Sequence, residues 1–155
     1  MIDRIAPRFR RYEPLLHAAE LMSGMVSGLD RKNCWTIAEH RGAVSPDGLQ
    51  HLLARASWGA DDVRDDLRDY VVDAFGDRGA ILVVDETGDV KKGIHSVGVQ
   101  RQYSGTAGRI ENSQVAVYLM YAAPRGHALI DRALYLLRSW ADDDDRCTDA
   151  RNPCG

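Results

Sequence analysis

Two acidic residues, Asp85 and Glu86, stand at the end of an unbroken apolar run, Ala80-Ile81-Leu82-Val83-Val84, and are followed by Thr87 and Gly88. Apolar runs of this kind, bounded by Gly79 and Gly88, read as a strand buried on both faces. A carboxylate at the C-terminal end of such a strand can leave the core and reach a cleft, where it can hold a divalent metal. The same pair can equally be the polar start of a turn, and the run alone leaves both readings open. Downstream, Lys91, Lys92, Arg101 and Arg109 lie in a glycine-rich stretch from Gly88 to Asn112. Cations that follow a metal-holding carboxylate suit a grip on a nucleic-acid backbone. A flexible surface loop is the alternative.

The rest of the chain must position these groups. With 155 residues it fits one ordinary domain or two small ones. A formal charge of -3 excludes a global basic field drawing it to nucleic acid, although a local basic face stays open. No apolar run approaches the roughly 18 residues of a membrane span, and the N-terminus lacks the apolar core of a signal peptide. Cys34, Cys147 and Cys154 have no metal-ligand spacing and read as reduced thiols.

From Glu13-Pro14 to Gly76 the periodicity is helical. Leu15, Ala18, Ala19, Met22 and Met25-Val26 form one stripe. A short helix is expected over Arg31–Glu39, with Trp35 and Ile37 in the core and Arg31 and Lys32 exposed at its entry, where they could meet phosphates. Ser45-Pro46 reads as a cap followed by a first-turn proline, and Leu49, Leu52 and Leu53 as the buried side of that helix. A last helix opens at Asp61-Asp62 and is acidic outside. Before these helices, Arg4, Arg8, Arg10 and Arg11 form a basic arm, read as solvated.

At Gly79 the pattern turns to strands. Val97, Val99 and Arg101 alternate with polar residues as a short strand. Val115–Ala122 is a second apolar run, Pro124-Arg125-Gly126-His127 a turn, and Ala128–Leu137 the return strand, with Asp131-Arg132 facing solvent. Trp140 closes the core. Asp142–Asp145 reads as a solvated acidic linker. The expected fold class is α+β, with a helical region at 9–76, a sheet region at 79–140 and an acidic linker and tail at 141–155.

Several stretches together resemble one family. They are Val83-Val84-Asp85-Glu86-Thr87-Gly88, Lys91-Lys92-Gly93, and the run from Gly98-Val99-Gln100-Arg101-Gln102-Tyr103 to Arg109-Ile110-Glu111-Asn112. With Asp30-Arg31-Lys32-Asn33, Pro46-Asp47-Gly48 and Leu129-Ile130-Asp131-Arg132, they resemble transposases of the insertion sequence 701 family, over roughly residues 9–146. The resemblance implies a DDE-type enzyme with an RNase H-like mixed sheet, of which this chain carries the first strands, and an N-terminal helical DNA-binding region. It implies that Asp85 is the first of three acidic ligands to two Mg²⁺ ions, which activate water or a 3′-hydroxyl and stabilise the leaving oxygen. Arg31, Lys32, Lys91, Lys92, Arg101 and Arg109 become candidates for holding the DNA of the element ends. The second Asp and the Glu are not matched, so the sheet and the site are expected to be incomplete. Ile81–Val84 should then form an apolar edge that invites self-association or a complementary transposase chain. A DNA-binding or transposase-inhibiting fragment without catalysis is the second reading. A cytoplasmic, nucleoid-associated location follows from the resemblance.

Overall fold

The computed structural model describes residues 1–105 and 107–150. Two compact units divide near residue 70, Met1–Tyr70 and Val71–Gly155.

The first unit is helical. A short helix α1 (Ile2–Ile5) and a 3-10 turn (Ala6–Arg8) precede α2 (Tyr12–Met25), α3 (Cys34–His40), α4 (Asp47–Ala54) and α5 (Ala60–Phe75). Helix α3 starts sharply because Asn33 caps it. The Asn33 carboxamide oxygen accepts from the Trp35 and Thr36 amides, and the Thr36 hydroxyl accepts from the Asn33 amide. The helix therefore begins after Arg31 and Lys32, not at them. Ile37 and Ala38 on α3 pack with Leu49 on α4 as the core of this unit, joined by Leu21, Leu29 and Cys34.

Glycines let the helices close on that core. Gly24 is buried on α2, and a Cβ there would lie 2.4 Å from Ile37 Cγ2. A Cβ on Gly48 would lie 2.4 Å from the His17 ring. The expected stripe on α2 is thus rotated at its end: Gly24 faces the core, while Met25 and Val26 are exposed. Trp35 is also exposed, against the expected core position, because the capping turn points it outward while Ile37 takes the interior. Helix α4 starts one residue later than its sequence predicts. Pro46 is the N-cap, and the Ser45 hydroxyl donates to the Asp47 carboxylate at 2.9 Å.

The arginine arm is partly tied down. Arg8 binds the Asp66 carboxylate through Nε at 2.8 Å and Nη2 at 2.7 Å, a fork on α5. The hydrogen bond from Arg8 holds the Asp66 carboxyl below the usual aspartate range. The Arg4 guanidinium lies 5.4 Å from the Tyr70 ring centroid. Phe9 stacks on Trp58 with ring centroids 5.6 Å apart.

The second unit is an open, wholly antiparallel sheet. Its strands are β1 (Ile81–Val90), β2 (Gln100–Ser104), β3 (Arg109–Ala123) and β4 (Gly126–Leu134). The long β3 is the spine: β1 lies along one side of it, and β2 and β4 pair with successive halves of it. Two short helices, α6 (Arg138–Ala141) and α7 (Asp144–Asp149), follow. The fold class is α+β with an incomplete sheet.

The core of this unit is at one end. Val97, Trp140 and Cys147 pack together with Leu134 and Leu136, and the Trp140 indole N–H donates to the Val99 carbonyl at 3.1 Å. Trp140 therefore closes a core, as its position in the sequence predicts. Cys34 is a free thiol. Cys147 is disulfide-bonded, which departs from the expected reduced thiol, and Cys154 lies outside the described residues.

Within the second unit, which includes the end of α5 from Val71, Tyr121 ties that segment to the sheet. Its hydroxyl accepts from the Asp77 amide at 2.5 Å and lies 3.3 Å from the Phe75 carbonyl, linking β3 to the end of α5.

Candidate metal and nucleic-acid site

Asp85 lies in the middle of β1, not at its end, because pairing with β3 continues through Asp89↔Gln114 and Val90↔Ser113. Glycine at position 88 allows this continuation. A Cβ there would lie 2.9 Å from the hydroxyl of Ser104, which is buried against it.

The strand is not buried on both faces. Ile81 is 66% exposed and Val84 67%. The reason is topological. Among the described residues strand β1 pairs with β3 alone, so its other edge is open. Residues alternate along an antiparallel ladder. The Lys91 amide donates to Asn112 of β3's ladder side, whereas the Glu86 amide is taken up by the Asp85 carboxylate at 2.9 Å. Leu82, Val84 and Glu86 therefore turn their backbone groups to the open edge. The expectation of an apolar edge at Ile81–Val84 is met, and the burial expected for the same residues is not.

Cross-strand pairing defines Asp85's surroundings. Asp85 pairs with Tyr118, and Tyr118 pairs with Arg132, so the three side chains stand in one row on one face. Glu86, as its neighbour in the strand, is on the opposite face. Arg132 occupies this row because of a bulge between Leu119 and Met120. Counting without a bulge from the Ala123↔Gly126 turn would bring Asp131 opposite Tyr118. The extra residue puts Asp131 opposite Leu119 instead, on the other face. The Arg132 amide donates to the Asp131 carboxylate at 2.8 Å next to this bulge. No group of three His, Cys, Asp or Glu able to hold a metal exists among the described residues. Asp85 is a single carboxylate on this row, and the described residues bring no second or third acid to it.

The candidate cations do not converge. Lys91 and Lys92 follow β1, about six residues beyond Asp85, or roughly 20 Å along an extended strand. Arg101 pairs with Asn112 on the β2–β3 hairpin. The Asn112 carboxamide donates to the Lys91 carbonyl at 2.9 Å and the Gly93 carbonyl at 2.7 Å, so Arg101 shares a face with the group that holds the Lys91–Gly93 turn. Arg109 is an odd number of rows away, on the opposite face, and binds Glu111 at 2.6 Å. Arg31 and Lys32 are exposed in the helical unit; Lys32 Nζ donates to the Leu29 carbonyl at 3.2 Å.

The segment expected to be a long loop is instead braced by carboxamides. Besides Asn112, Gln114 donates to the Val97 carbonyl and Gln102 to the Ser113 carbonyl, each at 2.7 Å. The strand here is Gln100–Ser104, later than the alternation of Val97 and Val99 predicts; both valines are buried beside it. The signal was the frequency of Gln and Asn in the segment, side chains that can replace missing ladder partners.

A family model described as DDE superfamily endonuclease matches residues 6–155. A protein of Microchaete diplosiphon, named as a probable transposase for insertion sequence element IS701, is 35% identical over 111 residues. That match covers 72% of this chain and 28% of the relative's length. No solved structure matches. With all but its first five residues inside the family model, the chain belongs to the DDE superfamily endonucleases and is a relative of the insertion sequence 701 transposases.

Proposed function

We propose that this chain supplies the DNA-contacting helices and the first metal ligand, Asp85, of a DNA transposase whose other acidic ligands come from sequence outside these residues. The observation that supports this most is the position of Asp85: a carboxylate inside the stretch that matches the family, on a strand with one edge open. In the assembled enzyme divalent ions, Mg²⁺ in this proposal, supply phosphodiester cleavage and strand transfer. Within this chain the residues fit only part of such a site, so its own contribution is to hold Asp85 on a strand fixed by β3. The DNA of the element ends is the proposed partner, with Arg31, Lys32, Lys91, Lys92 and Arg101 as backbone contacts. Arg109 would first have to release Glu111.

The open edge of β1 supports association with a further strand, from a second copy or from a complementary transposase chain. No described helix is long and apolar enough to cross a membrane.

Nicking of supercoiled plasmid tests this reading. The chain alone with Mg²⁺ or Mn²⁺ is expected to nick no faster than its Asp85→Ala variant. Supplemented with the polypeptide encoded by the DNA immediately downstream, it should nick in an Asp85-dependent way if that DNA encodes a strand ending in Asp and a later helix carrying Glu. Asp85-independent nicking by the pair would contradict the role given to Asp85. If the downstream DNA encodes neither acid, the second reading stands: a binding or transposase-inhibiting fragment.

A further inference from the structure

Two of the four arginines of the N-terminal arm are accounted for by α5, since Arg8 binds Asp66 and Arg4 lies over Tyr70. The other two point elsewhere. Arg10 and Arg11 line an open cleft of about 330 Å³ in the helical unit, together with Pro14, His51, Arg55 and Ser57. Three arginines and a histidine thus line one space, and among the described residues no carboxylate lines it. All four side chains are exposed.

The local structure explains why they meet. Arg11 is the N-cap of α2 and makes no side-chain cap, and Pro14 in the first turn of this 14-residue helix also lines the cleft. Across the cleft, α4 ends at Arg55, whose amide closes the helix on the His51 carbonyl at 2.9 Å. That closure places His51 and Arg55, one helical turn apart, along one face.

We infer that this cleft is a binding site for the phosphodiester backbone of DNA, with Arg10, Arg11 and Arg55 as the phosphate contacts and Ser57 and His51 as additional hydrogen-bond donors. The inference rests on the DNA-binding reading above and adds a site to it. Planar guanidinium forks match phosphate oxygens two at a time. Backbone contacts give affinity and orientation without reading sequence. The site would therefore hold any duplex, leaving discrimination of the element ends to other residues.

The test uses the full chain and two probes. The first is a short fluorescein-labelled random duplex, followed by anisotropy from about 50 to about 200 mM salt. Each neutralised phosphate contributes about 0.9 to the salt slope, so Arg10→Gln/Arg11→Gln/Arg55→Gln should lower the slope by about 2.7. Over that fourfold salt range the lost salt sensitivity is about fortyfold. The second probe is inorganic tripolyphosphate, which should shift the His51 ring signals in the wild type and not in the triple variant. A triple variant that binds duplex with an unchanged slope overturns the inference and leaves the DNA reading intact. A shift of His51 by tripolyphosphate with no duplex binding by the wild type overturns both for this chain. If the cations serve only the C-terminal end of α4, the triple variant melts lower and the slope stays the same, which also overturns the inference. Should the triple variant fail to fold, Arg10→Gln and Arg55→Gln singly must each lower the slope by about 0.9.

Discussion

Trp140→Ala is expected to unfold the sheet unit while leaving the helical unit folded. The indole is 1% exposed, packs on Val97 and Cys147, and donates to the Val99 carbonyl. Truncating a buried tryptophan costs about 3–5 kcal/mol. The stranded Val99 carbonyl adds about 1–3 kcal/mol. Whole domains are stable by only about 5–15 kcal/mol, and this sheet starts from a weak position because the apolar stretch of β1 contributes little burial. Hydrogen exchange by mass spectrometry checks the outcome: amides over residues 97–123 should lose protection, and those over 34–54 should keep it. Trp140→Phe separates the causes. It keeps most of the volume and loses the N–H, so it should cost about 1–3 kcal/mol. Equal protection in wild type and Trp140→Ala would show that Trp140 does not hold the hairpin and α6 together.

Gly24→Ala should destabilise the helical unit by about 1–3 kcal/mol. Glycine in a helix interior normally costs about 1 kcal/mol relative to alanine, so most substitutions at such a position stabilise. Here the sign reverses. The added Cβ would lie 2.4 Å from Ile37 Cγ2 and 2.7 Å from Cγ1, and Ile37 is fully buried, with no space to give. A double-mutant cycle with Ile37→Ala tests the cause. Removing the Ile37 side chain should make Gly24→Ala nearly neutral or favourable, giving a coupling of about 1–2 kcal/mol between the two positions. Additive effects, read by thermal melts of the four proteins, would mean that the two residues do not share the space.

Local chemistry was legible in the sequence where it is self-contained. The strand over Ile81–Val84, the end of α5 at Gly76, the Pro124-Arg125 turn and the burial of Trp140 all follow from patterns within a few residues of each other. What the sequence could not carry is partnership. An apolar run states that a strand can be buried on both faces; whether anything lies beside it depends on other strands, and β1 has one neighbour. Register was hidden for the same reason. One bulge at Leu119/Met120 decides that Arg132, not Asp131, shares a row with Asp85, and no residue type marks that bulge. The carboxamide braces from Gln102, Asn112 and Gln114 were hidden because each joins residues 11 to 21 positions apart. Trp35 shows the limit of hydropathy: a capping box set the phase of α3 and left the larger residue outside.

As proposed above, Asp85 is a metal ligand of a site that the described residues do not complete. Titration of the isotope-labelled chain with Mn²⁺, followed by paramagnetic broadening of its amide signals, tests that claim most directly. Broadening should centre on residues 84–87 and their partners 116–119, require far more Mn²⁺ than a multi-carboxylate site would, and vanish in Asp85→Asn. Broadening unchanged by Asp85→Asn would remove Asp85 from the site. Saturation at micromolar Mn²⁺ with two ions bound would mean that the chain assembles a complete site by itself.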